Sequence, residues 1–128
     1  MNTIQYDVAI IGGGPAGLQA ALILARTRKR VIVFDSQEPP RNASSHGVHN
    51  FVGLDGLTPF QIREQAWSQI AFYNSAEHRT DHVIDVQSHD DNTFLVTSES
   101  GSIVIVNHVI LALGFRDIYP DVIGFKAC

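Results

Sequence analysis

The chain has 128 residues and a mass of 14.1 kDa, enough for one hydrophobic core and too little for two. With 45% apolar and 17% charged residues it is too apolar for a disordered tail, and its net charge of −4 argues against a nucleic-acid binder. The single cysteine, Cys128, excludes an internal disulfide framework and a zinc site built from cysteines.

Residues 6–11 (YDVAII) form a short apolar run closed by three glycines, the pattern of a strand buried on both faces in a parallel sheet. Residues 15–28 (PAGLQAALILARTR) are rich in Ala and Leu. They predict a buried helix with Pro15 in the first turn, where no amide bond is lost. Arg26, Arg28, Lys29 and Arg30 crowd its end, where the helix dipole favours cations; no stacking aromatics accompany them, so a nucleic-acid patch is the weaker reading. Residues 31–34 (VIVF) predict a second buried strand, closed by Asp35. Strand, glycine turn, helix and strand make an α/β unit with a right-handed crossover.

Residues 36–57 have no periodicity, and an irregular stretch of that length is often functional. Thr58, Pro59 and Gln61 then spell a capping box with proline in the first helical turn, and Leu57 and Ile62 suit a hydrophobic staple. Ile62, Ala66, Ile70 and Tyr73 share one face, joined by Trp67, which predicts a helix to about residue 73. Residues 83–88, 94–98 and 103–106 predict a small antiparallel meander, with turns at 90–92 and 100–102. Residues 108–113 (HVILAL) predict a separate buried strand that rejoins the parallel sheet and ends at Gly114.

The histidines offer pairs but no third ligand: His46 and His49 are three apart, His78 and His82 four apart. Each reads as a surface or loop histidine, and no metal site is expected. Ser44 and Ser45 beside His46 do not make a triad, which draws on distant parts of a chain. No basic leader precedes the first apolar run, and no run is long enough to span a membrane. With one cysteine, the expectation is a soluble, cytoplasmic protein with neither a membrane nor a nucleic acid as partner.

The motif that carries chemistry is Gly12-Gly13-Gly14-Pro15-Ala16-Gly17, which contains the GxGxxG spacing of dinucleotide binding. Gly12 permits the tight turn, Gly14 lets the backbone approach a pyrophosphate, and Gly17 lets the helix pack on the sheet. The first helical amides and the dipole favour the phosphates. Asp35 follows 18 residues after Gly17, at the end of the second strand, where an acid accepts from a ribose diol.

Four stretches, DVAIIGGGPAGLQAALILAR, VIVFDSQEPPRN, SHGVHNFVGLDGLTP and VILALGFRDIYPDVIG, together resemble the N-terminal FAD-binding part of thioredoxin-reductase-like pyridine nucleotide-disulfide oxidoreductases. One departure is Ala112-Leu113-Gly114, where the family usually has Ala-Thr-Gly. The resemblance implies a Rossmann-like FAD-binding domain: a parallel sheet with flanking helices plus a small meander, residues 1–128 forming one incomplete domain. It implies FAD rather than NAD, with the pyrophosphate over Gly12 to Gly17 and the adenosine ribose at Asp35 and Ser36. Arg41 and Asn42 would lie near the cofactor, His49 and Asn50 towards the flavin, Val83 beside the adenine, and Ala112 and Gly114 in the second fingerprint.

It also implies an NAD(P)H-binding domain with a CxxC and a Gly-Asp return, and the sequence contains none of the three. The expectation is a fragment that binds FAD, carries no catalytic residue and is inactive alone. Its open apolar sheet surface would be covered by a second chain or a homodimer. Two other readings stand beside it: a non-catalytic nucleotide-binding or assembly module, as half of a split flavoprotein, and an NAD-dependent Rossmann dehydrogenase, for which no catalytic set is evident.

Overall fold

Residues 4–37, 39 and 43–124 are described by the structure, a computed structural model. Its elements run β1 (Ile4–Ile11), α1 (Pro15–Arg26), β2 (Val31–Asp35), α2 (Pro59–Ala71), β3 (Ala76–Thr80), β4 (Val83–Asp90), β5 (Thr93–Ser98) and β6 (Ile103–Leu111). All the strands join one sheet in the order β3-β2-β1-β6-β5-β4. β3, β2, β1 and β6 are parallel, while β6, β5 and β4 form the antiparallel meander. This is the expected α/β arrangement of parallel sheet, flanking helices and meander.

The central strands are apolar on both faces because both are covered. All five residues of β2 are buried. Alternate side chains divide between two clusters. Val8, Ile10, Val31 and Val33 meet Leu18, Ala21 and Ala25 of α1 and Ile70 of α2. Ala9, Ile32 and Phe34 meet Val96, Val104 and Val106 of the meander. Ala21 and Ala25 are fully buried, and their small side chains let α1 lie close to the sheet. Among the described residues no helix is long and apolar enough to cross a membrane.

The helix ends are set locally. α2 carries the foreseen capping box: Gln61 N–H donates to Thr58 Oγ1 at 3.1 Å, and Thr58 N–H donates to Gln61 Oε1 at 2.9 Å. α1 stops two residues before its expected end. Arg28 takes a left-handed φ of 62°, with Lys29 N–H donating to Leu24 O and Arg28 N–H to Ala25 O. That is a Schellman stop with arginine in the glycine position. Of the four clustered cations only Arg26 lies in the last helical turn; Arg28, Lys29 and Arg30 follow the helix end. Arg30 instead lies 5.4 Å from the centre of the Tyr6 ring.

Two strands differ from expectation. β3 (AEHRT) was not foreseen: it pairs in parallel with β2 as an edge strand, and edge strands tolerate the polar residues that hid it. The segments 103–106 and 108–113 are not two strands. β6 runs unbroken through Asn107 and His108, pairing with β5 along its first half and with β1 along nearly its whole length. His108 is exposed, so this polar interruption does not disturb the core.

Candidate functional site

The turn between β1 and α1 is packed so tightly that three of its glycines are demanded by the protein itself. A Cβ on Gly12, whose φ is +118°, would fall 2.1 Å from the carbonyl oxygen of Ala112. A Cβ on Gly17 would fall 2.0 Å from the carbonyl oxygen of Gly12, which fixes how closely α1 meets the strand. A Cβ on Gly13 would fall 2.5 Å from Cγ of Asp35. Gly14 is different: among the described residues, nothing beyond its own chain neighbours lies within 4 Å of where its Cβ would be.

Gly14 is also the N-cap of α1, and no side chain caps the helix there. Pro15 occupies the first helical turn, as expected from its lack of an N–H. The positive end of α1 therefore opens past Gly14 without the side-chain acceptor that Thr58 gives α2. The chain leaving β6 and strand β2 back the turn: Ala112 N–H donates to Ile11 O at 2.8 Å, and Gly12 N–H donates to Phe34 O of β2 at 2.9 Å. Ala112 thus joins the site through its backbone.

Asp35 ends β2 against this turn and is 5% exposed. Its Oδ1 accepts from the backbone N–H of Gln37 at 3.0 Å. Its Oδ2 lies 3.2 Å from His78 Nε2 and 3.9 Å from Arg63 Nη1. His78 comes from β3, where it stands opposite Val33, and Arg63 comes from α2. His78 is exposed, as expected of a surface histidine, but it stands on the edge strand β3 and its ring reaches the buried Asp35. The ring also makes a T-shaped contact with the Trp67 ring, at 4.6 Å between centroids. The sequence offered His78 only as a surface histidine four residues from His82, and it did not single out Arg63. The only signal was the alternation around His78, too short to read without its pairing partner.

The other expected residues are less unified. Ser36 is exposed just beyond β2. Arg41 and Asn42 lie outside the described residues. His49 and Asn50 sit in a loop closed by Val48 N–H donating to Leu57 O and Gly56 N–H donating to Val48 O, both at 2.7 Å. Their described polar contacts stay inside that loop: Asp55 Oδ1 accepts from Asn50 N–H at 2.7 Å and lies 3.5 Å from His49 Nδ1. Val83 opens β4, at the sheet edge opposite β3, and packs on the meander cluster. Gly114 has a left-handed φ of 65° and lies beyond β6 with open space at its Cβ position. The structure brings together Gly12, Gly13, Gly17, Asp35 and Ala112, and does not join the loop residues or Val83 to them by a described contact.

A family model described as pyridine nucleotide-disulphide oxidoreductase matches residues 6–128. The thioredoxin reductase sirT of Leptosphaeria maculans is 35% identical over 122 residues, covering 94% of this chain and 37% of that protein. The thioredoxin reductase tcpT of Claviceps purpurea is 37% identical over 121 residues, covering 93% and 37%. Among solved structures, an oxidoreductase from Agrobacterium tumefaciens superposes with a TM-score of 0.88 at 35% identity, covering 97% of this chain and 41% of that one. The chain thus spans about two fifths of the length of these relatives. With the match running from the first strand through the second glycine-bearing segment, the chain belongs to the pyridine nucleotide-disulphide oxidoreductase family.

Proposed function

We propose that the chain is the FAD-binding part of a thioredoxin-reductase-like oxidoreductase. The observation that carries this reading is Gly14. It is a helix N-cap without a side-chain cap, in a turn otherwise filled by protein, and its Cβ position is open. A pyrophosphate needs such a cradle: an approachable backbone, helix amides and the positive end of a dipole.

Gly12, Gly13 and Gly17 shape the cradle, Pro15 and Ala16 begin the helix that faces the phosphates, and Ala112 closes the wall behind Gly12. Asp35 supplies the acceptor for the adenosine ribose. Arg41, Asn42, His49, Asn50, Val83 and Gly114 remain in the proposal through the family pattern. Bound flavin supplies the hydride and electron chemistry, while the protein holds and orients it. Thiol–disulfide exchange needs an attacking and a resolving thiol, and one cysteine does not complete that cycle within these 128 residues. The NAD(P)H and disulfide steps are therefore assigned to elements these residues do not supply. A single cysteine also fits a reducing compartment, and we place the protein in the cytoplasm on that ground.

Titrating the full chain with FAD, followed by quenching of flavin fluorescence, tests the reading. Saturable binding at one FAD per chain is expected. No saturable binding, or binding of NADH with none of FAD, would overturn it and favour the dehydrogenase reading.

A further inference from the structure

We propose that His78 and Arg63 are positioning residues for ribose recognition. They hold the Asp35 carboxylate in the orientation in which it accepts ribose hydroxyls, and so set the preference for a dinucleotide that carries them. The inference rests on the flavin reading above.

Asp35 is gripped from several elements at once. The glycine turn presses on it, since a Cβ at Gly13 would fall within 2.8 Å of its Cβ, Cγ and Oδ2. The backbone of Gln37 takes Oδ1, while His78 from β3 and Arg63 from α2 face Oδ2. A carboxylate only accepts, so the facing ring nitrogen of His78 carries the proton. His78 is itself fixed by the β2–β3 register and by a T-shaped contact with the Trp67 ring, at an interplanar angle of 71°. An ionised carboxylate offers about four lone-pair sites; among the described residues the Gln37 amide and His78 take two, Arg63 stands at ion-pair distance, and room for a ribose diol remains. The amide of Gln37 is a fixed part of the chain next to Asp35. Among the described residues these two side chains oppose rotation of the carboxylate about its own bond, and the Arg63 guanidinium faces a charge that is almost fully out of water. Among the described residues, loss of His78 would leave Oδ2 facing only the more distant guanidinium of Arg63.

The test compares affinities of the full chain for FAD and for an FAD analogue whose adenosine lacks both ribose hydroxyls. In the wild type FAD should bind at least about tenfold more tightly, as hydrogen bonds to a charged acceptor imply. His78→Phe keeps an aromatic ring against Trp67 but removes the donor, and should bring the two affinities close together by weakening FAD alone. His78→Gln restores an N–H donor and should restore the preference. A role confined to packing would lower both affinities equally in His78→Phe, and that result overturns the inference. Should His78→Phe fail to fold by circular dichroism, Arg63→Met carries the test: a reduced preference supports the inference and an unchanged one overturns it. Equal wild-type affinities would refute ribose selection while leaving flavin binding intact. Absence of FAD binding in every variant and in the wild type would refute both.

Discussion

Gly14 and Gly17 belong to one motif but answer to different forces. Gly17 is a glycine because the carbonyl of Gly12 occupies the space of its Cβ, whereas the space at Gly14 is open. Substitutions there should therefore part in sign. Gly14→Asp adds a preferred N-cap and should raise stability by about a few tenths of a kcal/mol. The same carboxylate would stand in the place proposed for the pyrophosphate, so FAD affinity should fall more than about tenfold through like-charge repulsion. Gly17→Ala should instead lower stability by roughly 2 kcal/mol or more, because the backbone oxygen cannot give way without moving α1. Urea unfolding together with FAD titration of both variants reads these effects; a Gly14→Asp protein that is less stable yet binds FAD normally would contradict this division. The GxGxxG spacing was legible in the sequence, as was Asp35. Which glycine faces open space was not, because that depends on where β6 and Asp35 arrive in three dimensions. His78 was illegible for the same reason: its partner lies 43 positions away.

Elements whose ends are encoded by neighbours in the chain were readable, and those defined by distant pairing were not. The start of α2 needs only Thr58, Pro59 and Gln61, and both bonds of the box are formed. Thr58→Ala should cost about 1 kcal/mol in urea unfolding, and a cost near zero would show that the box contributes nothing. β3 depends on β2, and the continuity of β6 depends on having β1 as a neighbour, so neither could be read locally. β3 is further tied down by polar groups: Tyr6 Oη of β1 donates to Glu77 Oε1, and Arg79, paired with Glu77 within the strand, donates to Ser102 in the turn before β6. Burial, then the Glu77 contact, pushes the Tyr6 phenol above its ordinary pKa.

Between β3 and β4, Asp81 accepts from the hydroxyl of Ser100 and from the amides of His82 and Ser100, pinning this connection to the turn between β5 and β6. Hydrogen bonds from Ser100 first, then Ser98, lower its pKa to about 2. A depressed carboxylate pKa means that its contribution is present above the unfolded value, near 4, and is lost as pH falls towards 2. Asp81→Asn should therefore differ from the wild type at neutral pH and converge on it in acid unfolding. A difference that persists unchanged from pH 7 to pH 2 would contradict this.

At the scale of the molecule, four parallel strands set the glycine turn, the end of β2 and the exit of β6 side by side, which is the geometry that dinucleotide sites of this architecture share. The meander covers the face that the helices leave, through Val96, Val104 and Val106. From the last residue of β6 onward the coverage runs out: Leu111, Leu113, Ile118 and Ile123 are exposed. The α/β class was legible because apolar runs, glycine punctuation and an Ala-rich helix all agree on it. The merging of sheet and meander into one six-stranded sheet was not, since it follows from the pairing of β6 with both β1 and β5.

The central claim is that the mouth of the first strand–helix turn receives the pyrophosphate of FAD. Amide chemical-shift mapping of the 15N-labelled chain during FAD titration tests it most directly. The largest shifts are expected on the amides of Gly13, Gly14, Ala16 and Gly17, with Asp35 and Ala112 following at the same FAD concentrations. Saturating FAD that leaves those amides unmoved, or that shifts only the loop around His49 and the exposed residues beyond β6, would contradict it.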